Sequence, residues 1–363
     1  MESSRGKPQG WLVAVRRSEY RPPSANHLNI AKAANRGQAR SHKKSRASPY
    51  NARRMEIIRG LHNIRPKHRG CIVTIGNFDG VHHGHQLVLS HLNAKRDELR
   101  AASTLITFEP LPREFFRAST MPARLTRLRE KVMLLNRTGI DRMLLLPFNE
   151  RLAQVPARAV IEDFLVAQLN IRYVVVGDDF RFGHDREGDY AMLKAGGDRF
   201  GFDVSHIGTL TFDHARVSSS RIRETLARGD LAKAEKLLGH DYFIVGRVVE
   251  GRRLGRTLGT ATANIALHRH RAPVEGVYAV EIDGLERRYQ GVANVGVRPT
   301  VDGRTPVLEV HIFDFDRDIY GARLTISFRK KIRDEQRFPS LDELKAQIAR
   351  DVADTRRHFA ATT

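Results

Sequence analysis

The chain has 363 residues, 41% of them hydrophobic, which is enough apolar surface for real cores and excludes a wholly disordered polymer. A single cysteine, Cys71, excludes a disulfide framework and any multi-cysteine zinc or iron–sulfur centre. Of the net charge of +21, residues 1–54 carry +11, from 13 Lys/Arg and 2 acids, so the body that follows is only modestly basic. That distribution suits a polyphosphate ligand better than nucleic-acid binding by a uniformly charged surface. No apolar run approaches a membrane span, the longest near the start being the five residues Trp11 to Val15.

Residues 1–54 show neither helical nor strand periodicity and read as a disordered basic extension. An arm for nucleic acid or membrane surfaces, a targeting peptide, or upstream sequence from a wrong start would each account for it. Met55, directly before the first ordered-looking segment, favours the last. Residues 72–75 then form a short apolar strand, followed by a helix over 84–99 with Leu89, Leu92 and Leu99 at helical spacings. Strands over 105–108, 143–146 and 173–176 alternate with helices over 127–138 and 160–169. This alternation argues a Rossmann-like parallel sheet with helices on both faces, where ligands gather at the carboxyl ends of strands. Two short helices, 219–228 and 231–238, precede Gly239, where the character changes. Strand-like runs over 242–249, 276–282, 289–295, 307–313 and 324–328, with no helix between them, argue an antiparallel barrel or sandwich. Ser340-Leu341-Asp342-Glu343 opens a last helix whose apolar stripe is Leu344, Ile348, Val352 and Phe359. The expected division is 1–54, 55–239 and 240–363.

Chemistry concentrates in a few segments. Gly76-Asn77-Phe78-Asp79-Gly80-Val81-His82-His83-Gly84-His85 follows a buried strand and opens a helix. A chain of this composition should spell His-x-Gly-His about 0.05 times by chance, so the placement matters as much as the letters. Glycines admit phosphates close to the backbone, a helix N-terminus offers free N–H groups, and two imidazoles can donate to a triphosphate. Arg216-Val217-Ser218-Ser219-Ser220-Arg221-Ile222-Arg223 reads as a phosphate clamp, or alternatively as a capped helix with a solvated face. Together the two segments resemble the halves of the adenylyl-transferring site in the HIGH-type nucleotidyltransferases. Gly177-Asp178-Asp179-Phe180-Arg181-Phe182-Gly183 ends another buried strand, and its phenylalanines face either a planar ligand or plain core.

In the second body, residues 251–259 place three glycines and three arginines in one loop, which suits a polyphosphate. Thr262 and Asn264 present oxygens on one side of an extended segment, as a hard cation requires. Glu309, between Leu308 and Val310, is either the solvent-facing residue of an alternating strand or a general base for an alcohol.

Taken in order, GNFDGVHHGH, TFEP, GDDFRFG, REGD, RVSSSRIR, TAN, GVANVGVRPT and LEVHIFDF resemble the bifunctional bacterial riboflavin kinase/FAD synthetase family over residues 55–363. The resemblance implies a nucleotidyltransferase domain followed by a β-barrel kinase domain. It further implies riboflavin plus ATP giving FMN, then FMN plus ATP giving FAD and pyrophosphate, both with Mg²⁺. His82, His85 and Arg216 would act in adenylyl transfer, and Glu309 would be the kinase base. Gly76, Asn77, Phe78, Asp179, Ser219, Ser220 and Arg221 would bind the nucleotide and flavin. Gly255, Gly259, Thr262 and Asn264 would bind ATP in the kinase domain, the last two also holding the metal. Two departures stand out: Thr260-Ala261 replaces the usual Phe-Pro, and Leu111 stands where a polar residue is common. The expected partners are these small molecules in the cytoplasm, with no need of nucleic acid or membrane. The competing expectations are an adenylyltransferase whose barrel merely binds flavin, and a nucleic-acid-binding protein driven by the basic arm.

Overall fold

In a computed structural model, residues 54–116, 121–250, 262–300 and 303–361 are described. The basic extension, apart from its last residue Arg54, and the loop with Gly255, Gly259 and Thr260-Ala261 lie outside the described residues. The first half is a six-stranded parallel sheet. In chain order its strands are β1 (Glu56–Arg59), β2 (Ile72–Ile75), β3 (Ser103–Phe108), β4 (Arg142–Leu146), β5 (Tyr173–Gly177) and β6 (Asp203–Ile207). In space they run β1-β4-β3-β2-β5-β6. The four central strands are the aliphatic runs expected from the sequence, since a strand covered on both faces must be apolar throughout. The two edges, EIIR and DVSHI, are half polar and escaped that pattern. The helix expected over 160–169 is π-helical over Val160–Gln168.

From β2 the chain moves outward through β3 and β4, and later returns to β5 on the other side of β2. The strand order reverses there, so the carboxyl ends of β2 and β5 flank the crevice where open α/β sheets place their ligands.

A two-stranded hairpin, β7 (Thr211–Phe212) and β8 (Ala215–Arg216), leads into the helices Ser219–Ala227 and Leu231–Leu238. The second half is a closed barrel, where the sequence had left barrel and sandwich open. Its strands are β9 (Phe243–Val249), β10 (Ala263–Ala266), β11 (Gly276–Asp283), β12 (Tyr289–Thr300), β13 (Gly303–Ile312) and β14 (Arg323–Arg333). They close in the order β10-β13-β12-β11-β14-β9. The last helix, Leu341–Ala360, is capped by Ser340 as its capping box predicts. Its inward face is less apolar than expected: Phe359 is buried, but so are Asp351 and Thr355, and Asp351 takes a two-pronged grip from Arg333 at 2.8–2.9 Å.

Sheet half and barrel share their cores. Ile222, Leu226, Leu237 and Leu238 pack in one cluster with Ile244, Tyr278 and Ile326 of the barrel, while Phe243 and Val245 join Leu134 and Leu135. Each such fully buried Leu or Ile contributes about 1.5–3 kcal/mol. A buried ion pair crosses the same boundary: the Arg269 and Glu130 side chains are 2% and 1% exposed and meet at 2.5 Å. Glu130 also accepts from the backbone N–H of Val245 (2.9 Å) and Arg127 (2.6 Å), so its carboxylate is well satisfied.

Candidate active sites

After β2 the chain turns sharply into the helix His83–Leu99, with Phe78 (φ 48°), Gly80 (φ 89°) and Val81 (φ 43°) all in the left-handed region. At Gly80 a side chain would also run into Leu125, 2.7 Å from its β-carbon position. Two non-glycine residues held there carry strain, which surrounding contacts must over-determine. Asp79 does so from within. Its 3%-exposed carboxylate accepts from the N–H groups of Leu125 (3.2 Å) and Thr126 (2.9 Å) and pairs with Arg223.

The turn delivers His82 as the helix N-cap, its Nδ1 accepting from the His85 N–H at 3.4 Å. Acceptance at Nδ1 leaves the ring proton on Nε2, which is therefore a donor. The His82 and His85 rings stack at 3.7 Å, and His85 Nδ1 is buried with no hydrogen-bond partner among the described residues. Burial is the main cause that pushes the His82 pKa down to about 4, with Asp79 opposing and Arg216 adding to the fall. Burial also holds His85 well below its ordinary value. Both imidazoles are thus neutral donors at pH 7, facing the positive end of a helix.

The Ser/Arg segment, some 140 residues later, meets this turn. Ser219 donates its hydroxyl to the Asp79 carbonyl at 2.9 Å, and Arg223 reaches the Asp79 carboxylate. Arg216 pairs at 2.8 Å with Asp179 from the end of β5, both side chains largely exposed. Ser220 is exposed at the helix start, while Ser218 is the N-cap. Arg221 is placed differently from the ligand contact expected of it: it donates to the carbonyls of Phe212 and Ala215, both at 2.7 Å, and braces the β7–β8 hairpin. Phe78 is 3% exposed and packs on Gly76 and His85, so it shapes the turn from beneath; Asn77 has an exposed side chain.

Other acidic motifs are structural here. Glu109 of TFEP is locked by Arg124 through two 2.8 Å bonds. In REGD, Glu187 accepts from the Ala157 N–H (2.7 Å) and Asp189 caps the helix Tyr190–Phe200. Phe182 is core, 8% exposed, with Phe180 stacked on it at 5.4 Å.

Two features escaped the sequence reading. Lys131 is fully buried, its amine 2.7 Å from the Asn77 carbonyl; burial, then Arg124, lowers its pKa to about 8. Its position, three after Leu128 and three before Leu134, was the available signal: a lone lysine on an apolar stripe. At the carboxyl ends of β3 and β4, Phe108, Phe115, Phe116 and Phe148 contact one another edge-on, with Phe116 63% exposed. Here the doublet of phenylalanines in a five-residue helix was the signal.

On the barrel, Asn264 of β10 lies opposite Glu309 of β13, and Glu309 lies opposite Asn294 of β12. Their neighbours Ile265, Leu308, Val310, Ala293 and Val295 fill the barrel interior, so by strand alternation the Asn–Glu–Asn row lies on the outer face. Thr262, half-buried, precedes β10 two residues from Asn264. Next on the same face of β12 is Gly296, where a β-carbon would strike the Glu335 carboxylate.

Two family models match the chain, one after the other. The FAD synthetase family model matches residues 64–221 and the riboflavin kinase model residues 238–359. A bifunctional riboflavin kinase/FMN adenylyltransferase of Escherichia coli (strain K12) is 49% identical over 310 residues, covering 85% of this chain and 99% of the relative. Its counterpart from Haemophilus influenzae is 47% identical over 306 residues, covering 84% and 99%. A crystal structure described as a macrolide-efflux protein from Streptococcus pneumoniae superposes with a TM-score of 0.72 at 30% identity, over 84% of this chain and 99% of that one. No helix among the described residues is long and apolar enough to cross a membrane. On the strength of both family models and relatives matched over nearly their whole length, the chain belongs to the bifunctional riboflavin kinase/FMN adenylyltransferase family.

Proposed function

We infer that the chain phosphorylates riboflavin to FMN on the barrel and adenylylates FMN to FAD at the carboxyl edge of the sheet, consuming ATP twice. The domain boundary falls at Gly239, which ends the helix Leu231–Leu238 in the left-handed conformation. The single observation that carries the adenylyl half is the junction of the histidine turn with the Ser/Arg helix through Asp79, its carbonyl and its carboxylate.

In adenylyl transfer an FMN phosphate oxygen attacks the α-phosphorus of ATP, and the bond to the bridging oxygen breaks to release pyrophosphate. Negative charge grows on the departing oxygens. The Nε2–H of His82 and the free N–H groups of the helix start point donors at that charge, and Arg216 can exchange Asp179 for phosphate. Because the imidazoles are neutral beforehand, they hold no charge that would trap pyrophosphate. The exposed phenylalanine cluster beside β3 and β4 offers apolar edges and faces to the isoalloxazine ring.

On the barrel Glu309 takes the proton of the ribityl 5′-hydroxyl as its oxygen attacks the γ-phosphorus and ADP leaves. A general base contributes about a hundredfold to ten-thousandfold. Thr262 and Asn264 offer a hydroxyl and an amide oxygen, hard donors that would suit Mg²⁺. Bound there, Mg²⁺ supplies charge stabilisation to the transferring phosphoryl group. The setting proposed for both reactions is the cytoplasm, with riboflavin, FMN and ATP as the partners.

The test is purified chain with riboflavin, ATP and Mg²⁺, followed by chromatography of FMN and FAD. Both products are expected. FAD from supplied FMN without FMN from riboflavin would reduce the chain to an adenylyltransferase, and neither product would overturn the reading.

A further inference from the structure

The Asn–Glu–Asn row contains a polar atom for which the fold provides nothing. Asn294 Oδ1 is buried and has no hydrogen-bond partner among the described residues. A buried acceptor without a donor is costly, and native folds keep few of them. On one side the register partner of Asn294 is the buried Val277. Its other register partner is Glu309. β-Carbons directly opposite across an antiparallel pair stand about 4.5–5.5 Å apart, close enough for one polyol chain to touch both side chains. Gly296, two residues on, has the Glu335 carboxylate in the place of a side chain, which closes that end of the row.

We propose that Asn294 is a substrate-binding residue of the kinase site, its Oδ1 accepting a hydrogen bond from the ribityl 4′-hydroxyl, the neighbour of the 5′-hydroxyl that Glu309 deprotonates. The inference rests on the reading of Glu309 as the kinase base. It makes the barrel selective for a polyol rather than a simple primary alcohol, because a substrate lacking that hydroxyl leaves Asn294 buried and unpaired.

The experiment is a two-by-two comparison: native chain and Asn294→Leu, each phosphorylating riboflavin and 4′-deoxyriboflavin, with kcat and KM measured separately. In the native chain the deoxy analogue should be disfavoured about tenfold or more in kcat/KM, the worth of one good hydrogen bond. In Asn294→Leu the two substrates should be used within about threefold of each other, with the change carried by KM. An equal penalty in both proteins, or no penalty in the native one, overturns the proposal. Adenylylation of supplied FMN by the same preparation reports folding, and Asn294→Ser, which shortens but keeps the polar group, replaces the Leu variant if that control fails. Glu309→Gln, assayed in parallel, separates the two claims. If it phosphorylates riboflavin at the native rate, the Glu309 reading fails and the proposal with it; if it does not, and the penalties are still equal, Asn294 alone is misassigned.

Discussion

In the parallel sheet the candidate site lies beyond the strand ends, in a turn and at the start of a helix; in the barrel it lies on the strands themselves, spread across three neighbours. The first arrangement needs backbone in unusual conformations, and Asp79 with its partners Leu125, Thr126 and Arg223 holds them. The second needs none, since cross-strand register alone lines up Asn264, Glu309 and Asn294. Contiguous motifs therefore mark the sheet site, whereas the barrel site is assembled from residues 30 and 15 positions apart. A turn-and-helix site gathers its donors in a few short stretches of chain; a strand-face site draws one side chain from each strand.

The sharpest way to break this comparison is to disable each site in turn. His82→Ala should cut FAD formation at least a hundredfold while FMN accumulates, and Glu309→Ala should abolish FMN formation yet spare conversion of supplied FMN, both read by chromatography. Loss of both half-reactions from either change in a folded protein would mean the regions are not separate. The boundary between them comes next. Arg269→Met strands Glu130 in the shared core and should cost about 3–5 kcal/mol in a denaturant titration. A smaller effect separates the sites by pH. His82 unfolds to an ordinary imidazole but folds with a pKa of about 4, so the unfolded chain binds the extra proton between these values. Its contribution to stability is complete above about pH 6.5 and is lost as pH falls toward 4, by about 3 kcal/mol. In calorimetry His82→Gln should flatten that decline. The smallest effect is expected at Asp179→Asn: its exposed pair with Arg216 should be worth less than about 1 kcal/mol of stability, while FMN adenylylation shifts in KM for ATP as Arg216 is released.

Much of this molecule could be read from residue order. The central strands β2 to β5 were legible because burial on both faces demands aliphatic runs, and the histidine turn because its chemistry is contiguous. The edges β1 and β6, half-solvated, carry no such run. Nothing in the residue order announces that Arg221 meets the carbonyls of Phe212 and Ala215. Lys131 left the one local sign of a lysine on an apolar stripe, whereas nothing local says that Asn294 faces Glu309.

By itself the amino-acid order determined the two-part character of the chain, the order of its chemistry and the family it resembles, because periodicity and short motifs are properties of neighbours along the polymer. The tertiary structure alone decided that the barrel closes, that both halves share cores sealed by Glu130 and Arg269, and that Ser219 meets Asp79. Those depend on desolvation and strand register, which act between residues from tens to more than a hundred positions apart and leave no local trace.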